Sequence, residues 1–87
     1  MPQIKSAMKR MRQNEKRRMR NRTVRSRMRT FVKNANTLIS EGDKDAAEIA
    51  VKEAISEIDR AAQKGAIHRN NAARRKSRLM QRFNAAP

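Results

Sequence analysis

The sequence predicts an all-α fold, a three-helix bundle with a long basic N-terminal helix extending beyond the bundle. Three observations predict it. Apolar residues recur at three-to-four spacing, and no stretch alternates polar and apolar as a strand would. The two glycines, Gly42 and Gly65, fall just past apolar-periodic stretches, where a glycine in the left-handed conformation commonly stops a helix. Proline occurs only as Pro2 and Pro87, so no proline breaks a helix between them. The expected helices run roughly 5–40, 45–63 and 68–84, in a single domain over 1–87.

The first helix is too long for the domain it belongs to. Its second half offers a core face of Val24, Met28, Phe31, Val32, Ala35, Leu38 and Ile39. In the first half, Ile4, Ala7, Met8 and Met11 cluster on nearly the opposite face at about 100° per residue. Between Arg12 and Thr23 only Met19 is apolar, so no intramolecular core can be built there. Residues 5 to 40 would span about 54 Å at ~1.5 Å per residue. A compact chain of this length has a radius of gyration near ~12 Å. The first half must therefore protrude. Running on from it into the second half, "EKRRMRNRTVRSRMRT" (15–30) sets eight basic side chains against the single Glu15. Like charges three and four residues apart repel, and cations at a helix N-terminus oppose the macrodipole. The first half is expected to fray in the free chain and to order on a polyanion.

The second helix presents Ala47, Ala50, Val51, Ala54, Ile58, Ala61 and Ala62 on one face, small enough for neighbours to approach closely. Asp45 followed by Glu48 reads as a capping box at its start. The third helix adds Ala72, Leu79, Met80 and Phe83 to the core. Around that line stand Arg74, Arg75, Lys76, Arg78 and Arg82, a second phosphate-binding surface.

Charge divides the chain in the same places. The net charge is +15 and the isoelectric point about 11.8. Residues 1–33 carry +12, residues 34–63 carry −4 and residues 64–87 carry +7. Arginine outnumbers lysine fifteen to eight, and guanidinium forks fit phosphate oxygens in a bidentate way that ammonium groups cannot. Arginines at 17, 18, 20, 22, 25, 27 and 29 surround the first helix, as suits a rod set between several nucleic-acid backbones. With only Phe31 and Phe83 as aromatics, the chain cannot build a base-stacking platform. Its contacts should go to phosphates, sugars and groove edges of folded nucleic acid.

Other classes find little support. The absence of cysteine rules out disulfides and thiolate zinc sites. His68, the only histidine, has no partners for catalysis and is expected to start the third helix or to meet a phosphate. The carboxylates from Glu41 to Asp59 match no calcium loop, there is no glycine-rich phosphate loop, and they read as a solvated face. No cofactor and no enzymatic activity are expected. No apolar run is long enough to span a bilayer or to form a signal peptide, so a soluble, cytoplasmic chain without membrane or small-molecule partners is expected. Self-repulsion favours a monomer. "NRTVRSRMR" (21–29) suggests the basic region of a leucine-zipper factor, but Arg25 stands where that family needs a small residue and Gly42 ends the helix too soon for a zipper. A histone-like DNA-compacting protein would share the charge and should prefer duplex DNA.

"IKSAMKRMRQNEKRRMRNRTVRSRMRT" (4–30), together with "KGAIHRNNAARRKSRL" (64–79), resembles the family of bacterial small-subunit ribosomal protein number twenty. Pro2-Gln3 departs from the Ala-Asn usual at its start. The resemblance implies a structural protein of the small ribosomal subunit that binds 16S ribosomal RNA directly and early. Its contacts would lie mainly in the 5′ domain and on the lower part of the 3′-minor-domain helix. Carried over by position, it implies RNA contacts by Lys5, Ser6, Lys9, Arg10, Lys16, Arg17, Arg18, Asn21, Arg22, Arg25, Ser26 and Arg29. From the second segment it implies contacts by His68, Asn70, Arg74, Lys76, Ser77 and Arg78.

Overall fold

A computed structural model describes residues 2–86, with side chains from Ile4 onward, so the departure at Pro2-Gln3 lies outside the described side chains. Helix α1 spans Pro2–Glu41, α2 spans Lys44–Gln63 and α3 spans Arg69–Ala85. Both glycines adopt the left-handed conformation expected of helix stops, Gly42 at φ +81° and Gly65 at φ +76°.

Hydrogen bonds close the helix end before each connection. After α1, Gly42 N–H donates to the Ile39 carbonyl at 3.2 Å. The chain then enters α2 through Asp43, whose Oδ1 accepts from Ala46 N–H at 3.2 Å. The cap thus sits two residues before the expected Asp45–Glu48 box. The left-handed turn at Gly42 leaves Asp43 extended (φ −84°, ψ 91°), as a cap must be, whereas Asp45 is already helical and serves the macrodipole. At the other end of α2, Gly65 N–H donates to Ala62 O at 3.1 Å and Ala66 N–H to Ala61 O at 2.9 Å. This is a Schellman turn, and its apolar contact is made by buried Ala66 and Ala61. A Cβ on Gly65 would meet nothing within 4 Å, so strain alone would oppose a side chain there. Gly65→Ala is therefore expected to cost about 1–2 kcal/mol in urea unfolding, the left-handed penalty for an L-residue. No measurable change would mean that the turn relaxes to another conformation.

The core has two layers along the bundle. One gathers Met28, Ile58, Ala61, Ala66 and Ala72; the other gathers Ala35, Ala50, Val51, Ala54 and Leu79. The alanines of α2 let α1 and α3 pack closely against it. Two expectations are corrected here. Met80 stays 37% exposed because it lies at the edge of the α3 stripe, and Ala66 and Ile67 of the α2–α3 turn pack against the core. Glu57 does not belong to a solvated face. It is only 7% exposed, standing three residues after Ala54 and four before Ala61 on the core-facing side of α2.

The protrusion of α1 is borne out. The described residues from Ile4 to Arg20 are exposed without exception. The molecule measures 65 × 20 × 14 Å with a radius of gyration of 17.4 Å, well above the ~12 Å of a compact chain of equal length. Ile4, Met8, Met11 and Met19 remain exposed on the rod, out of phase with the core.

Candidate nucleic-acid interface

The residues singled out in the sequence fall on three parts of the surface. Lys5, Ser6, Lys9, Arg10, Lys16, Arg17, Arg18 and Arg22 are exposed along the protruding half of α1. At the helix period they point in all directions around the axis. Ser26 and Arg29 follow, also exposed, where α1 joins the bundle. Asn70, Arg74, Ser77 and Arg78 are exposed on α3.

Asn21 is half-buried, and its Oδ1 is buried without a hydrogen-bond partner. Three of the expected contact residues have work within the protein. Arg25 is half-buried and donates from Nη1 to the Ala66 carbonyl at 3.4 Å, reaching across to the α2–α3 turn. Lys76 places Nζ 2.8 Å from Asp59 Oδ1, tying α3 to α2. His68 is the N-cap of α3, its Nδ1 accepting from Asn70 N–H at 3.1 Å. The first of its two expected roles is thus the one seen, and its exposed ring leaves Nε2 free of that bond.

The cationic surface is therefore less uniform than the sequence suggests. Arg27, one of the seven arginines expected all round the helix, places Nε 3.2 Å from Glu57 Oε1 and lies over the Phe31 ring at 5.3 Å. Arg60 Nη1 approaches the same carboxylate oxygen at 3.6 Å. A carboxylate buried this deeply would be costly without such partners. Two arginines that stay largely exposed are consequently engaged with Glu57, and Arg27 ties α1 to the acidic helix α2. Among the described residues the cations of the rod have no comparable partner, and Glu15 is the only acid before residue 41.

What sequence reasoning missed lies on the α1 face beside α3. Lys33, Asn36, Thr37 and Ser40 follow Arg29 at three- and four-residue steps and share a groove with Arg75. The signal was that spacing, continued past the resemblance's first segment. Among the described residues no group of three His, Cys, Asp or Glu side chains could hold a metal, and no helix is long and apolar enough to cross a membrane.

A sequence model of the family described as "Ribosomal protein S20" matches residues 2–84. The chain is 60% identical over 85 residues to the small ribosomal subunit protein bS20 of Thermomicrobium roseum, covering 98% of this chain and 86% of that one. It is 51% identical over 85 residues to the bS20 protein of Pectobacterium atrosepticum, covering 98% of each. The bS20 protein of Shouchella clausii is 49% identical over 84 residues, covering 97% of this chain and 96% of its own. With the helix order, the protruding basic helix and these matches over nearly its whole length, the chain belongs to the ribosomal protein S20 family.

Proposed function

We propose that the chain is a structural protein of the bacterial small ribosomal subunit, in the cytoplasm, that binds 16S ribosomal RNA directly and stabilises its folding by electrostatic clamping. The observation that carries this reading is the protruding half of α1. It is cationic on all sides, exposed from Ile4 to Arg20, and has no core to build within its own chain. Side chains such as Lys9, Arg10, Arg17, Arg18 and Arg22 would neutralise phosphates of RNA segments that otherwise repel. Arg29, Arg74 and Arg78 would hold further backbone beside the bundle. Asn21, Ser6, Ser26, Asn70 and Ser77 would add orienting hydrogen bonds. With two aromatics in the whole chain, shape would carry specificity more than base readout. The 5′ domain and the lower part of the 3′-minor-domain helix are the segments expected from the resemblance.

Binding to the 5′ domain of small-subunit ribosomal RNA across a salt series tests this, beside duplex DNA and an unrelated folded RNA of equal length. Six to ten phosphate contacts give a slope of log affinity against log salt of roughly −4 to −9. Preference for the ribosomal RNA that survives moderate salt supports the proposal. A nearly flat slope would defeat clamping, and equal affinity for all three would leave only a general polyanion binder.

A further inference from the structure

The charge on the protruding half of α1 is not evenly spread along its length. At about 100° per residue, Ile4, Ala7, Met8, Met11 and Glu15 fall within one arc of about 100°. They form a strip about 17 Å long at ~1.5 Å per residue. No lysine or arginine stands in that arc before Arg18, which closes it one turn beyond Glu15. All five side chains are exposed, with Ile4 at 55%, Met8 at 50% and Met11 at 69%. Cations border the strip on both sides. Lys5, Lys9 and Arg12 frame an open hollow of about 390 Å³ against Met8 along one edge. Arg10 and Arg17 stand exposed beyond the other.

Glu15 sharpens the question of what covers this strip. Among the described residues it makes no ion pair, although Arg12 and Arg18 stand three residues to either side. A carboxylate repels a phosphate, and apolar side chains offer phosphate oxygens no donor, so the strip does not face a phosphate. A second copy of this chain would bring its own cations against Lys5, Lys9 and Arg12. The strip fits a surface of sugar faces and hydrogen-bond donors, with phosphates set off to either side. The minor groove of an RNA duplex is such a surface: wide, shallow and lined with ribose 2′-hydroxyls between its two backbones. Methionine is unbranched and polarizable and adapts to irregular relief, and a carboxylate is a strong acceptor for a hydroxyl.

We propose that the strip from Ile4 to Glu15 seats in the minor groove of an RNA duplex, with Ile4, Met8 and Met11 against ribose faces and the Glu15 carboxylate accepting from a 2′-hydroxyl. This rests on the ribosomal RNA reading above and deepens it with residues that neither the resemblance nor the family match assigns. The bordering cations then meet the phosphates of the two strands. The only acid of the rod becomes a binding group, and the rod has a preferred rotation about its own axis.

The test uses the full chain with small-subunit ribosomal RNA, and with duplex DNA and an unrelated folded RNA of equal length at the same salt. Removing the negative charge of Glu15 should by charge alone tighten binding to any nucleic acid. Instead, Glu15→Ala should lose about 3- to 10-fold in affinity for the ribosomal RNA, as for one net hydrogen bond. It should bind DNA, which has no 2′-hydroxyl, at least as tightly as the parent does. A second variant, Met8→Ala with Met11→Ala, should lose about 5- to 30-fold on the RNA through lost apolar contact, at an unchanged salt slope. Both variants should melt as the parent does, since the strip touches neither layer of the core. Unchanged or tighter RNA binding by Glu15→Ala overturns the 2′-hydroxyl contact. Parent-like RNA binding by the methionine variant overturns the groove seat and leaves the strip to a protein partner. Equal losses on RNA and DNA overturn the assignment to an RNA groove. In each case the ribosomal RNA reading stands if the parent still prefers that RNA to both competitors. A parent without that preference overturns that reading, and this inference with it.

Discussion

Replacing Arg17, Arg18 and Arg22 together with alanine is expected to flatten the salt slope of RNA binding by about 2–3 units, near 0.9 per lost phosphate contact. At physiological salt the affinity should fall at least about tenfold, three charge-assisted contacts having been lost. The thermal midpoint of the bundle should barely move. All three side chains are exposed on the protruding half of α1, away from both layers of the core. The free variant should also be more helical by circular dichroism, since alanine is the better helix former and three repelling charges are gone. A variant that melts far earlier than the parent would show that the basic half of α1 packs against something in the free chain.

Ile58→Ala should do the reverse. Ile58 is fully buried where α2 meets α1, in the same layer as Met28 and beside Ala61 and Ala72. Those small neighbours cannot fill the space left by the truncation, so the substitution is expected to cost about 2–4 kcal/mol. A chain of this size has only about 5–10 kcal/mol in total, and each lost kcal/mol lowers the midpoint by roughly 4–8 °C. Calorimetry should therefore show a drop of more than about 10 °C. At temperatures where the variant is still folded, its salt slope on ribosomal RNA should match the parent's. A flatter slope would mean that core and rod are energetically coupled, contrary to the separation seen in the fold.

Much of this architecture was legible because it rests on local signals. Gly42 and Gly65 mark the two stops by the one backbone conformation that other residues avoid, and the alanine face of α2 marks the bundle's centre. The protrusion of α1 followed from the opposed phases of its two apolar stripes. What escaped depends on partners distant in sequence. Glu57 occupies a position in step with Ala50, Ala54 and Ala61, so its spacing was that of a core residue, but its charge argued for solvent. Only Arg27, thirty residues earlier, and Arg60 make its burial tolerable. Arg25 and Lys76 look like any other cations until the fold brings Ala66 O and Asp59 beside them. The cap at Asp43 was misplaced by two residues, because Asp45 offers the same chemistry and only the turn geometry separates them. Lys33, Asn36, Thr37 and Ser40 offered only their spacing after Arg29 as a signal, since such residues on a helix face are ordinary until a second helix lies beside them.

The continuity of α1 has a metric consequence. Between Pro2 and Gly42 there is no proline and no glycine, so the rod and the bundle are not joined by a flexible tether. A flexible linker accepts a range of separations between two binding points, with avidity declining gradually as the distance departs from its natural span. A helix accepts one. From Lys5 to Lys33 that length is about 42 Å at ~1.5 Å per residue, and the rotation between the two positions is as fixed as the distance. Two RNA segments held at the ends of α1 must therefore meet the protein's own spacing and angle. Once helical, the chain is a gauge, and RNA folded a few ångströms out of place cannot satisfy both ends at once.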